Sequence, residues 1–192
     1  DLHLVARLTN GREIVGQHLL TGKEAPALES PIEDLYLSRS RRTATPVEPE
    51  IPELVDRLIR SAELICFPVG SFYTSLIATL LPKGVSDAIR ATDVPKVYVP
   101  NPGHDPEEIG LDLSGKIERL VYYLKRGATK RTPTDRLLQF VLVDSGSAGM
   151  KRSMRKSIER LGVEVIDTPL TTAASAPYYD DQLLAEALLS LV

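Results

Sequence analysis

From residue 52 onward short apolar runs and amphipathic stretches take turns along the chain, and that alternation restricts the fold more than any other feature. Leu54, Leu58 and Ile59 are spaced for the apolar side of a helix ending near Ala62, and a strand over 64–67 follows at once. Helical segments over 72–81, 85–90, 113–125, 151–161 and 181–191 then alternate with strands over 96–99, 140–143 and 163–166. Strand and helix in turn mean crossover units and a parallel sheet. Phe140-Val141-Leu142-Val143 is apolar toward both faces, as a strand covered by helices on each side must be. The expected class is α/β, a doubly wound, mostly parallel sheet with helices on both faces. Ahead of it, apolar-rich runs over 2–9 and 13–20 flank Asn10-Gly11, the strongest short hairpin signal because both residues tolerate positive φ. An N-terminal β-hairpin is expected, with a short strand over 35–37 and a loop over 38–52. No internal repeat interrupts this order.

With 192 residues the chain can bury about two-thirds of its unfolded surface, enough for one cooperative core. Its 23 Lys+Arg stand against 26 Asp+Glu, a net charge of −3, which lacks the basic footprint of a nucleic-acid or anionic-membrane partner. No apolar stretch approaches the ~20 residues needed to cross a bilayer. The single cysteine, Cys66, sits in an apolar run, so no internal disulfide can form and a reducing, cytoplasmic setting is expected. Cys66 reads as a small core residue rather than a nucleophile. The chain begins at Asp1 and enters a strand pattern almost immediately, which suggests a piece of a longer protein.

In open α/β sheets ligands bind beyond the carboxyl ends of the strands, and three loops there carry chemistry. The first follows the strand over 64–67: Pro68-Val69-Gly70-Ser71 leads into a helix whose free N–H groups and positive dipole end suit a phosphate. Gly70 lets the backbone come close, and Ser71, Tyr73, Thr74 and Ser75 add hydroxyl donors. The plain alternative is an ordinary helix with Ser71 as N-cap. Without the Walker spacing, P-loop nucleotide hydrolysis is disfavoured. The second loop, 100–108, holds Asn101, His104, Asp105, Glu107 and Glu108. Asn101, nearest the strand end, is the candidate for contacting a nucleotide, and His104 with Asp105 is a candidate acid/base pair. The alternative there is a solvated turn. The third loop, 144–149, precedes a helix with Lys151, Arg152, Arg155 and Lys156, either a second anion site or a solvated basic face. His3 and His18 have no metal-ligating company and are expected to be structural or exposed.

The run 64–89 resembles the segment around the Gly-Pro-Gly-Ser-Leu-Tyr-Thr-Ser turn of the CofD-like family, which includes 2-phospho-L-lactate transferase of coenzyme F420 biosynthesis and the YvcK-type gluconeogenesis factors. Asn10-Gly11 with Val15-Gly16, the stretch 31–37, the strand end over 96–101 and the close over 180–189 are similar to later parts of the same family. The resemblance implies one CofD-like α/β domain over 1–192, lacking the family's N-terminal nucleotide-binding part. It further implies a phosphorylated, nucleotide-type ligand held by Gly70, Ser71, Tyr73, Thr74, Ser75 and Asn101. For the transferase it implies Mg²⁺-assisted attack of a flavin-like substrate's hydroxyl on a guanosine diphosphate-linked lactate, with release of GMP. For the YvcK-type members it implies non-catalytic binding of nucleotide-containing metabolites. Pro68 stands where the family has Gly, which removes one backbone N–H, and Thr79 stands where it has Asn. The family's Gly-rich first loop and Asp-rich motif, which would supply metal-binding carboxylates, do not occur in these residues. No catalytic residue and no metal ligand is therefore assigned, and apolar surface left by a missing part would favour a homodimer.

Overall fold

A computed structural model of the chain describes residues 1–22, 26–127, 132–145 and 150–192. The N-terminal strands β1 (His3–Leu8), β2 (Glu13–Val15), β3 (Ile32–Ser38) and β4 (Pro46–Val47) form an antiparallel sheet in the order β2-β1-β3-β4. After helix α1 (Glu53–Arg60) come β5 (Ile65–Phe67), a π-helical turn over Phe72–Ile77 that runs into α2 (Ala78–Leu80), and α3 (Val85–Arg90). Then follow β6 (Lys96–Tyr98), α4 (Leu113–Leu124), β7 (Phe140–Asp144), α5 (Arg152–Arg160), β8 (Glu164–Thr168) and α6 (Asp181–Leu189). Strands β5 to β8 lie side by side in chain order and all pair in parallel. The α/β class expected from the alternation is the one observed.

Side chains alternate across a strand, so two-sided strands must feed two packed layers. Phe67, Tyr98, Val141, Val143 and Val165 join the larger cluster with Ile117, Leu120 and Leu124 of α4 and Ile158 of α5. Their neighbours Val97, Val99 and Leu142 face the other way, where Leu184 and Leu188 of α6 close over them with Cys66 and Ile166. The larger cluster also takes in Leu4, Ala6 and Leu8 of β1 and Ile32 and Leu35 of β3. Helix α4 ties the two sheets together. The Leu35 N–H donates to Tyr123 Oη at 2.8 Å, Tyr123 donates to Asp34 Oδ1 at 3.2 Å, and Arg119 and Arg126 donate to the Glu33 and Leu35 carbonyls.

Five local expectations are corrected. The hairpin closes over three residues, with Leu8 N–H donating to the Arg12 carbonyl at 2.8 Å. Only Gly11 takes positive φ, 84°, while Asn10 spends its side-chain oxygen on the Arg12 N–H. Strand β2 stops at Val15 because Gly16, at φ 114°, turns the chain into a short 3₁₀ segment over Gln17–Leu19. The strand expected over 35–37 spans Ile32–Ser38, since Asp34 and Ile32 pair with Arg7 and Leu8 of β1, while Glu33, skipped where the register shifts between them, is held by its ion pair to Arg7. Within the stretch expected to be loop, Pro46–Val47 adds an edge strand to β3. On α1, only Ile59 of the expected apolar side packs on the core, while Leu54 and Leu58 are 59% and 61% exposed. Among the described residues no helix is long and apolar enough to cross a membrane.

Candidate functional site

The chain leaves β5 at Phe67, turns through Pro68 to Ser71 and enters the π-helical turn, in which the Leu76 N–H reaches back five residues to the Ser71 carbonyl at 3.1 Å. Gly70, at φ 144°, occupies a conformation that L side chains rarely adopt. Ser71 does not cap the helix. Two carboxylates from the loop after β6 do so instead. Asp105 Oδ2 accepts from the Phe72 N–H at 2.6 Å, and Glu107 Oε2 accepts from the Tyr73 and Thr74 N–H groups at 3.0 and 2.8 Å. Thr74 Oγ1 donates to Glu107 Oε1 at 2.6 Å, and Asp105 Oδ1 accepts from the Glu107 N–H at 3.0 Å. Both carboxylates are buried. Burial raises the Glu107 carboxyl above its ordinary value, and the bonds from Thr74 pull back against that.

The anion site expected at the helix start is thus filled by the protein's own acid groups. Tyr73 and Thr74 are buried and directed inward: Tyr73 donates to the Ile32 carbonyl at 3.4 Å and meets Phe72 edge to face, while burial pushes its phenol up to about 12. Gly70 and Ser75 are exposed and Ser71 is half-buried, so these three remain on the surface of the turn. His104 is exposed while Asp105 is buried against Phe72, so the candidate acid/base pair does not converge.

Beyond the carboxyl ends of β6 and β7 lies a cleft of about 450 Å³ lined by Asn101, Lys116, Val143, Asp144, Thr171 and Tyr179 among others. It occupies the position where open α/β sheets bind ligands. The strand pairing that carries the Val99 N–H to the Phe67 carbonyl, 2.9 Å, sets the β5 turn next to the β6 loop. Asp144 Oδ1 accepts from the Leu170 and Thr171 N–H groups and Oδ2 from Thr171 Oγ1, which fixes the wall built from β7 and the segment after β8. Tyr179 donates to the Pro100 carbonyl at 2.9 Å, and burial pushes its phenol up to about 12. From α4, Lys116 Nζ donates to Glu108 Oε2 at 3.0 Å, both side chains about nine-tenths buried. Glu108 Oε1 is buried without a hydrogen-bond partner. Burial raises the Glu108 carboxyl, and Lys116 opposes that rise.

Of the residues expected to hold the ligand, Asn101 lines this cleft, as does Asp144 at the start of the third loop, while Gly70, Ser71 and Ser75 lie on the turn after β5 and do not line it. Lys116, Thr171 and Tyr179 went unnoticed in the sequence. A signal for Lys116 was present, because it interrupts the apolar stripe of α4 between Leu113 and Ile117. In the third loop residues 146–149 lie outside the described residues. Of the basic helix beyond, Arg155 donates to Asp167 Oδ2 and the Val165 carbonyl, and Lys151, Arg152 and Lys156 are exposed. Burial pushes the Cys66 thiol up to about 11, the behaviour of a core residue. A resident Mg²⁺ is not fitted by these side chains: among the described residues no three His, Cys, Asp or Glu converge, and the carboxylates of Asp105, Glu107 and Asp144 already accept bonds from this chain's own donors.

A family model described as 2-phospho-L-lactate transferase CofD matches residues 1–174. A protein of Thermotoga maritima, provisionally named a gluconeogenesis factor, is 31% identical over 144 residues, 71% of this chain and 41% of its own length. A protein of the same provisional name from Thermoanaerobacterium thermosulfurigenes is 29% identical over 207 aligned positions, covering 100% of this chain and 58% of its own length. The chain therefore spans about half the length of these relatives. The crystal structure of a UPF0052 family member from Bacillus halodurans superposes with a TM-score of 0.72 at 18% identity, over 98% of this chain and 59% of that one, a likeness of fold.

Proposed function

The chain belongs to the CofD family, and from that premise we propose that it binds a phosphorylated, nucleotide-type metabolite in the cleft beyond β6 and β7. One observation carries the reading: the cleft sits at the carboxyl ends of parallel strands and combines an amide, Asn101, with a buried ammonium, Lys116. Asn101 positions the nucleotide, and Gly70, Ser71 and Ser75 line the approach. Tyr73 and Thr74 serve from behind, because their bonds to Ile32 and Glu107 hold the turn in shape. Two uses of such a ligand are open to this family. Transfer of a phospho group is favoured by the description of the matching family model, and regulatory binding by the provisional name of the curated relatives. The capped helix start favours binding, because the amides that would stabilise a transferring phosphate are engaged by Asp105 and Glu107.

Calorimetric titration with guanosine and uridine diphosphate compounds, with and without Mg²⁺, tests the reading. Saturable binding of one of them, weakened by Asn101→Ala and by Gly70→Val, is the expected result. No binding at millimolar ligand would overturn it. Binding that requires both Mg²⁺ and guanosine would select transfer chemistry over regulation.

A further inference from the structure

The Lys116–Glu108 pair stands out among the ion pairs of the described residues. The others each have at least one side chain more than three-tenths exposed, as with Arg7–Glu33 or Lys83–Glu50, whereas here the two side chains are 11% and 10% exposed. Taking both charges out of water is costly, and a pair retained for stability alone is expected to satisfy its remaining hydrogen-bonding atoms. This one does not, since Glu108 Oε1 is buried with no partner. Glu108 sits at the end of the loop that caps the π-helical turn, and Lys116 sits one turn into α4 on the wall of the cleft. An ammonium carries three donors, and the structure commits one of them, to Glu108 Oε2. The remaining charge lies in a partly enclosed, low-dielectric setting, where attraction to an anion is stronger than at the surface.

We propose that Lys116 is the anchor for the phosphate groups of the ligand in this cleft and that Glu108 is the positioning residue that holds and tempers its charge. The inference rests on the binding function proposed above and places the ligand's anionic end against α4, not at the amides of residues 72–74. On the other wall both oxygens of Asp144 accept bonds from residues 170 and 171. The ligand class that fits is a di- or polyphosphate ester whose charged end meets one lysine and whose remainder lies along Asn101 and Tyr179.

The two sides of the pair make opposite predictions, which structural damage cannot imitate. With guanosine diphosphate, uridine diphosphate and inorganic pyrophosphate as probes, Lys116→Met lowers affinity about tenfold or more and flattens its salt dependence, and Lys116→Arg restores most of the loss. Glu108→Gln keeps an oxygen for Lys116 but removes the opposing charge, so the same anions bind about threefold tighter. Should Lys116→Met fold poorly, the double variant Lys116→Met with Glu108→Leu replaces the buried pair by apolar groups and must bind as weakly. Wild-type binding that Lys116→Met leaves unchanged, or variants at 116 and 108 that both weaken it, would overturn the assignment while leaving the cleft intact as a binding site. If the wild type binds none of the three probes at millimolar concentration, the binding function itself fails and the anchor with it.

Discussion

Removing the carboxylate of Glu107 tests what holds the turn after β5. In Glu107→Ala three buried donors, the Tyr73 and Thr74 N–H groups and Thr74 Oγ1, lose their acceptor at once. A donor stranded in the interior costs about 1–3 kcal/mol. Water can enter from the exposed side of the loop at His104, so the lower part of that range applies, about 4 kcal/mol for the three. Relief of burying an ionised group, which is what raises the Glu107 carboxyl, offsets part of this and leaves a net loss of about 3 kcal/mol. For a domain of this size that lowers Tm by roughly 6–12 °C. Glu107→Gln behaves differently. Its amide oxygen can accept both N–H groups, and the Thr74 hydroxyl can rotate to accept from the new NH₂, so the expected loss is under about 1.5 kcal/mol. Urea unfolding of the three proteins, with equal m-values required, measures both differences. A loss below about 1 kcal/mol for the alanine variant would refute the role of the carboxylate as the cap. Equal damage from glutamine and alanine would show that charge at the helix dipole, and not hydrogen bonding, does the stabilising.

Two further outcomes follow from the same contacts. Tyr123→Phe removes the acceptor of the buried Leu35 N–H and the donor to Asp34, and should cost about 2 kcal/mol, or roughly 4–8 °C in Tm, seen in a thermal melt; an unchanged melt would show that α4 does not tie the sheets through this hydroxyl. Glu108 has its folded-state value raised by burial above the ordinary 4.5, so the folded form holds its proton more tightly. Its contribution to stability is complete below about pH 4.5 and is lost as pH rises through the raised value. The stability of the wild type relative to Glu108→Gln should therefore decline across that window in urea titrations between pH 4 and 7, and a rise would contradict the sign.

Local pattern carried most of the architecture because its physical causes are local. A strand buried on both faces must be apolar at successive positions, as at Phe140–Asp144, and a helix covered on one face must repeat its apolar residues every three or four, as at Leu113–Leu124. The alternation of these segments, the breaks at Gly11 and Gly70 and the turn at the end of β5 were determined by the sequence alone. Strand β3 was legible only over its apolar half, since Asp34 stays in the ladder through pairing with β1 and Glu33, at the register shift, is held by Arg7. What the tertiary structure decided is which groups meet across long separations. Asp105 and Glu107 read in sequence as solvated loop acids, yet they cap a helix about 33 residues earlier. Lys116 reads as a flaw in an apolar stripe until folding sets it against Glu108 on the wall of a cleft. A carboxylate in a polar loop has the same neighbours in the chain whether it faces water or a row of amides. Its role is settled when the parallel ladder of β5 and β6 brings two loops together and excludes the water between them.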